Sequence, residues 1–176
     1  MIDAGEPVVD GFSLGLREGF LREDEIRTFL DDGWDPIPAY LFELLEESRQ
    51  RPADDRITRD RRREWGKRIT FFPGVNEIFP ALRESARAID ERIDVEYYLI
   101  SSGIGEILRA TTISNAFRDV WACDFHYGEG GEIVYPRNIV SFTEKTRFLF
   151  QISKGIVGPE SRTQHGAVNQ KAREGF

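Results

Sequence analysis

One segment constrains the fold more than any other: an apolar and aromatic run at residues 95–100, followed at once by Ser101, Ser102 and Gly103. The run has the length of a strand and shows no polar alternation, which is typical of a strand covered on both faces in a parallel sheet. The stretch GEILRATTI that follows predicts a helix. A buried strand that leads directly into a helix favours an α/β fold.

The sequence before this strand predicts a small helical module. A helical pattern begins at Leu21 and stops at Gly33. A second amphipathic helix follows from Pro36 to about Arg49. Thr58 is a suitable N-cap for a third, basic helix.

Pro73 and Gly74 open another helix, whose apolar residues follow the 3.6-residue period and predict one buried face. These apolar positions are Val75, Ile78, Phe79, Leu82, Ala86 and Ile89.

Beyond the central strand, runs at residues 120–127 and 132–135 are separated by GEGG, which predicts a hairpin. Residues 138–142 predict a short strand or an extended link. A last helix is expected from about residue 144 to residue 154, with its apolar side chains facing inward; these are Phe148, Leu149 and Ile152.

Composition excludes several classes of function. With 40% apolar residues and 13 Phe in 176 residues, the chain is expected to fold. A net charge of −7 opposes binding to nucleic acid but leaves a small phosphorylated ligand open. No apolar stretch approaches the roughly 20 residues that cross a bilayer, and no signal segment is apparent at the amino terminus. The single cysteine, Cys123, predicts a small core residue in a reducing compartment, so we expect a cytoplasmic protein.

The end of the central strand is the first candidate for chemistry. Hydroxyls of Ser101 and Ser102, together with backbone N–H groups at the start of the following helix, would point at one spot and favour an anion. The alternative is that the two serines only cap that helix.

Lys145 is the second candidate. Ser141 and Glu144 have the spacing of a capping box, which places Lys145 in the first turn of its helix. A cation there opposes the helix dipole. The lysine therefore either extends into solvent or meets an anion held nearby.

Other patterns point to chemistry less strongly. Gly103 and Gly105 begin a G-x-G-x-x-G pattern, but Leu108 replaces its third glycine, which disfavours a dinucleotide site. His126 and His165 are too scattered to predict a metal centre. The basic run RDRRREWGKR predicts a solvated helix face or, alternatively, a surface for an anionic substrate or partner.

The order of these elements resembles a known family. The chain resembles the phosphoserine-phosphatase-like branch of the haloacid dehalogenase superfamily. The elements that carry the resemblance are, in order, a helical insert, the helix opened by TFFPGVNEIFPAL, a strand ending in LISSG, a hairpin, and FTEKTRFLF on a helix. The resemblance covers roughly residues 21–155. It implies a Rossmannoid core, a parallel sheet with flanking helices, carrying an inserted helical cap.

The resemblance also assigns roles to particular residues. It implies that Ser101 hydrogen-bonds a phosphoryl group, with Ser102 and Gly103 in the turn that follows, and that Lys145 neutralises the phosphate. It divides the chain into a leader or remnant strand (residues 1–20), a helical cap (21–70), a partial α/β core (71–155) and a loose tail (156–176).

Two motifs of the family are expected to be missing. The first motif, Asp-x-Asp-x-Thr or Val, supplies the nucleophile; its nearest counterpart is VVDGFSLG, where Asp10 could imitate the nucleophile but Phe12 replaces the second aspartate. The sequence ends at Phe176 before an acidic fourth motif appears. We therefore expect no catalytic residue, no metal ligand and no strong Mg²⁺ binding.

Three functional hypotheses follow. The first is a phosphomonoester hydrolase by descent that is inactive alone, as a truncated or split product would be. The second is a regulatory or phosphate-binding protein that self-associates or pairs with a complementary fragment. The third is an active hydrolase that uses Asp10 in a degenerate site.

Overall fold

The computed structural model describes residues 22–158. The expected leader at residues 1–20, Asp10, His165 and the tail from residue 159 onward lie outside the described residues, so the predictions made for them stay predictions.

Three helices come first, as the sequence predicts: α1 (Glu23–Asp31), α2 (Pro36–Gln50) and α3 (Arg59–Lys67), with a short 3₁₀ turn at Ala53–Asp55. Gly33 ends the first helical segment with φ of 86°, a left-handed conformation that glycine adopts without strain. Thr58 is confirmed as the N-cap of α3, because its side chain accepts a hydrogen bond from the backbone N–H of Arg61.

The second half of the described chain alternates helices and strands: α4 (Val75–Ile89), β1 (Tyr98–Ile104), α5 (Gly105–Leu108), a 3₁₀ turn at Ser114–Ala116, β2 (Asp119–Tyr127), β3 (Ile133–Asn138) and α6 (Phe142–Ser153). The three strands form a sheet in the order β1-β2-β3. β1 pairs with β2 in parallel, and β2 pairs with β3 as the predicted antiparallel hairpin. The mixed α/β class with a partly parallel sheet is therefore confirmed.

The bounds of β1 correct the sequence prediction. The strand starts at Tyr98 rather than at residue 95, and it continues through both serines to Ile104. The pairs Ile100 with Trp121 and Ile104 with Cys123 leave three β1 residues opposite one β2 residue, which is a bulge. The helix predicted after the strand is a single turn, α5.

The predicted buried face of α4 is wrong. No residue of α4 is buried, and the exposed fractions of Ile78, Leu82 and Ile89 are 50%, 49% and 82%. Phe79 is half-buried because its ring meets Tyr97. The described chain thus provides too few neighbours for this face. On α6, Leu149 is likewise exposed although it was expected to face inward.

One hydrophobic cluster joins the helices to the sheet. Leu41 and Leu44 of α2, Trp65 of α3, and Trp121 and Phe125 of β2 belong to the same buried group. Arg59 N–H also donates to the carbonyl of Gly131, which ties the start of α3 to the hairpin. The division into cap and core stays a prediction. None of the described helices is both long and apolar enough to cross a bilayer.

Candidate functional site

The bulge at the end of β1 is the centre of the candidate site. Ser101, Ser102 and Gly103 form it, and the Ser101 Oγ accepts a hydrogen bond from the backbone N–H of Gly103 at 3.0 Å. Among residues 22–158 no acceptor pairs with the hydroxyl hydrogen of Ser101, so within this range it is available to a further acceptor. The sequence predicts Ser101 at the end of the strand and Ser102 and Gly103 in the turn that follows, whereas the structure places all three within the strand as its bulge.

Ser102 connects the bulge to both a helix and the neighbouring strand. Its carbonyl oxygen accepts hydrogen bonds from the hydroxyl of Tyr40 on α2 and from the Cys123 thiol on β2, the latter at 3.2 Å. Its Oγ is buried and has no hydrogen-bond partner in the part of the chain that the structure describes. A buried hydroxyl without a partner is uncommon in folded proteins and calls for an explanation.

The prediction that Cys123 is a buried core residue is confirmed. Its thiol bonds the bulge and is influenced by the charge of Lys145. Burial raises the pKa of the Cys123 thiol, while the backbone N–H of Val140 donates to its sulfur at 3.2 Å and acts in the opposite direction. The charge of Lys145 also lowers this pKa.

Lys145 is the fourth residue of α6 and half-buried. Ser141 is the N-cap as predicted, but the capping-box bond is absent: its hydroxyl meets the Thr143 hydroxyl at 3.0 Å instead of a helix N–H. Phe148, one turn beyond Lys145, stacks on Trp121 at a centroid distance of 5.2 Å. Lys145 and Phe148 are three residues apart and therefore share a face of α6.

Lys145 has no carboxylate partner among the residues that the structure describes. Its Nζ lies 5.6 Å from the ring centroid of Phe142. The contacts within residues 22–158 include no direct bond between Lys145 and the serines. The convergence of Ser101 and Lys145 on one ligand stays a prediction.

The nearby carboxylates are already engaged by arginines. Asp124 on β2 binds Arg109 through both carboxylate oxygens, at 2.6 and 3.2 Å. Glu106 meets Arg59 and Arg63 of α3 at 3.5 and 3.3 Å. Within the described range no group of three acidic, His or Cys side chains could hold a metal ion.

The sequence favours a solvated face for the basic helix α3, but one of its arginines is buried. Arg62 is fully buried, and its guanidinium lies 4.4 Å from the ring centroid of Phe125 and 5.2 Å from that of Tyr127. Burial lowers the pKa of Arg62 to about 10. No local sequence signal indicates this burial, because it results from the contact of α3 with Phe125 and Tyr127 of β2, which lie far along the chain.

A cavity of about 590 Å³ lies between the first two helices and the bulge. Its polar lining residues include Ser101 and Ser102. Its apolar walls come from Ile26 and Leu30 of α1, Ile37 of α2, the segment at Ile69 and Phe71, and Leu99, Leu108 and Ile113. No sequence motif predicts this cavity, because it forms between elements distant along the chain.

The G-x-G fragment and His126, the other candidates from the sequence in the described range, do not form the sites considered for them. Gly105 begins a helix of only four residues, and Gly103 lies inside a strand, so the G-x-G fragment does not open a long helix. His126 is exposed on β2.

Comparisons with known proteins identify one similar sequence and no family. An uncharacterized protein of Borreliella burgdorferi is 27% identical over 105 residues, covering 51% of this chain and 37% of the relative. The chain thus spans well under half of that relative's length. No family model matches the sequence, and no solved structure matches it.

Proposed function

We propose that the protein belongs by descent to the haloacid dehalogenase phosphatases, with a Rossmannoid core and a helical cap, and that this chain binds a phosphate ester without hydrolysing it. The observation that carries the proposal is the β1 bulge, where Ser101 and Ser102 line a cavity and the Ser102 carbonyl accepts from the Cys123 thiol, whose pKa the charge of Lys145 lowers. Parallel strands of α/β folds collect ligands at their carboxyl ends.

Each residue has a separate role in the proposed site. Ser101 and Ser102 donate hydroxyl hydrogen bonds to phosphoryl oxygens, and Gly103 keeps the bulge open to the ligand. Lys145 supplies positive charge, because a half-buried ammonium without a carboxylate partner in the described chain gains from an anion. The buried free thiol of Cys123 supports a reducing compartment such as the cytoplasm.

Binding without turnover follows from the chemistry of the side chains. The sequence contains no Asp-x-Asp-x-Thr nucleophile motif. Asp124 and Glu106 are paired with arginines, which supports the proposal because a paired carboxylate is a poorer nucleophile and a poorer metal ligand. Hydrogen bonds and charge then stabilise the bound ester without opening a route to a covalent intermediate.

The test measures binding of inorganic phosphate to the full chain by titration calorimetry. We expect Ser101→Ala and Lys145→Met each to raise the Kd by about tenfold, because each removes a charge-assisted contact. Ser85→Ala on the exposed face of α4 and Lys154→Met at the far end of α6 are the matched controls and should leave the Kd unchanged. Equal weakening by candidate and control variants would contradict the assigned site.

A second measurement tests the absence of turnover. With Mg²⁺ and an aryl phosphate, the full chain should release phosphate no faster than the background reaction. Turnover that disappears in Asp10→Asn would instead establish an active hydrolase with Asp10 as nucleophile.

A second candidate function is a regulatory protein that pairs with another chain. The specific observation is that β1 is an edge strand of the described sheet, so its outer edge is not paired with another strand within residues 22–158. An unpaired edge is a template for a strand from a partner. The two candidates are compatible, since strand addition would leave the phosphate-binding bulge in place.

A further inference from the structure

The cavity beside the bulge extends from the buried core to the protein surface. Its volume of about 590 Å³ is within the range of small-molecule sites. Ile26 and Ile69 in its lining are each 6% exposed, whereas Leu30 is 40% exposed. Residues of α1, α2, β1 and α5 all contribute to this lining. A space that these elements enclose and that reaches the surface at Leu30 suits a small molecule that enters it.

The lining offers little that a charged or strongly polar ligand could use. In the described range it contains no charged side chain, and Lys145 is not part of it. The Thr111 hydroxyl donates to a backbone carbonyl at 2.8 Å, and the Tyr40 hydroxyl donates to the carbonyl of Ser102. The Ser102 Oγ is buried. Few hydroxyl donors therefore remain for a ligand in the described lining.

The other side chains of the described lining are aliphatic or aromatic. An ordered water molecule needs several polar partners, which such walls do not provide, so water in the cavity is easily displaced. A charged group placed among the walls would lose its hydration without compensation. An apolar ligand is favoured instead, because its surface and the surface of the walls both leave water.

We propose that this cavity binds an uncharged, mainly hydrocarbon small molecule. The ligand enters past Leu30 and contacts the side chains of α1 and α2 and the segment at Ile69 and Phe71. A small molecule fits better than a second protein chain, because a contact at the surface would not reach Ile26 or Ile69. The inference goes beyond the proposed function, since it concerns the apolar walls and requires neither a phosphate group nor Lys145.

The test titrates the full chain with two fluorescent probes that have the same ring skeleton. N-phenyl-1-naphthylamine is uncharged, and 8-anilinonaphthalene-1-sulfonate carries one added sulfonate. We expect the uncharged probe to bind at least about tenfold more tightly, because the sulfonate would meet no charged side chain in the described walls. The sulfonate probe is thus the control for general affinity to exposed apolar surface.

Substitutions locate the bound probe. Leu30→Gln should raise the Kd of the uncharged probe by about fivefold, because it places an amide in the cavity wall. Leu149→Gln makes the same change at an exposed leucine of α6 outside the cavity and should leave this Kd unchanged. Leu82→Gln on the exposed apolar face of α4 should also have no effect. Circular dichroism verifies that all three variants remain folded.

The inference is wrong if the uncharged probe does not bind, or if the sulfonate probe binds equally well. Equal effects of Leu30→Gln and Leu149→Gln would overturn it too, because the loss would not come from the cavity wall. Loss of binding in Leu82→Gln alone would place the probe on α4 and contradict the assigned cavity. Inorganic phosphate, titrated separately, tests the proposed function, so the failure of one proposal is distinguishable from the failure of the other.

Discussion

Glu43 of α2 shows how a single buried carboxyl makes the stability of the helical region depend on pH. Its side chain is 2% exposed, and the Arg22 Nε lies 3.5 Å from its Oε1. Burial, followed by the nearby Glu25 carboxylate, raises the pKa of Glu43 to about 7, although Arg22 acts in the opposite direction. The protonated form is therefore favoured in the folded protein over a wide pH range.

The sign of the pH dependence follows from this pKa. In the unfolded chain Glu43 ionises near its ordinary value of about 4.3, so between that pH and about 7 the folded state holds a proton that the unfolded state has lost. Stability contributed by Glu43 is present at low pH and is lost as the pH rises through this window.

We predict that Glu43→Gln raises the free energy of unfolding at pH 8 by on the order of 1 to 2 kcal/mol, because it removes the cost of ionising a buried group. Near pH 4 the variant and the wild type should be nearly equal. Urea unfolding at several pH values measures the difference. Glu46→Gln on the same helix, at a partly exposed glutamate paired with Arg49, is the control. A benefit of Glu43→Gln that is constant with pH would contradict the account.

At the scale of elements, the docking of α3 on α5 depends on Gly66. A Cβ built at Gly66 would lie 2.2 Å from the carbonyl oxygen of Ile107 and 2.8 Å from the Cβ of Ala110. These neighbours are the backbone oxygen and the first side-chain carbon, which cannot rotate away. The two helices can therefore approach this closely only with glycine at this position.

We predict that Gly66→Ala lowers the free energy of unfolding by about 2 to 3 kcal/mol, since α3 must shift away from α5 to make room. Gly103→Ala is the matched control: its Cβ would lie 3.2 Å from the Ser101 Oγ and 3.7 Å from Leu108, contacts that small movements relieve. The control should change the free energy of unfolding by less than about 1 kcal/mol in chemical denaturation. Equal losses in the two variants would show that the close approach of α3 and α5 has no special role.

Elements that depend on local signals were predicted well from the sequence. The limits of α2, the Thr58 cap and the GEGG hairpin follow from residues adjacent in the chain, and the structure confirms each of them. The start of β1 was missed because it depends on where β2 pairs, and the exposure of α4 was missed because periodicity does not reveal what covers a face.

The candidate site, too, could be predicted from the sequence only in part. The sequence placed the serines near the carboxyl end of the buried strand, because an apolar run followed by Ser-Ser-Gly is a local pattern, although they lie within the strand and not after it. The bulge, the buried Arg62 and the apolar cavity could not, because each is created by contact between elements far apart in the chain. The sequence therefore indicated where a ligand could bind but not what surrounds it.

At the scale of the whole molecule, the exposed apolar side chains on and near α4 favour assembly with another chain. Ile78 and Leu82 are one turn apart on α4 and each is about half exposed, and Phe72 just before this helix is 58% exposed. β1 is in addition an edge strand of the described sheet. Apolar patches and unpaired strand edges favour association between chains.

We therefore predict that the isolated chain self-associates, in a manner that depends on concentration, through the Ile78 and Leu82 face. The double variant Ile78→Gln with Leu82→Gln should raise the dissociation constant of the complex about tenfold or more, since it removes apolar area at the contact without disturbing a buried core. Glu84→Gln with Arg87→Gln places the same side chain at two exposed positions on the other side of α4 and should leave the constant nearly unchanged. Sedimentation equilibrium of the three proteins measures it. A wild-type chain that remains a monodisperse monomer at every concentration, with one sharp thermal transition, would show that the α4 face needs no partner in solution.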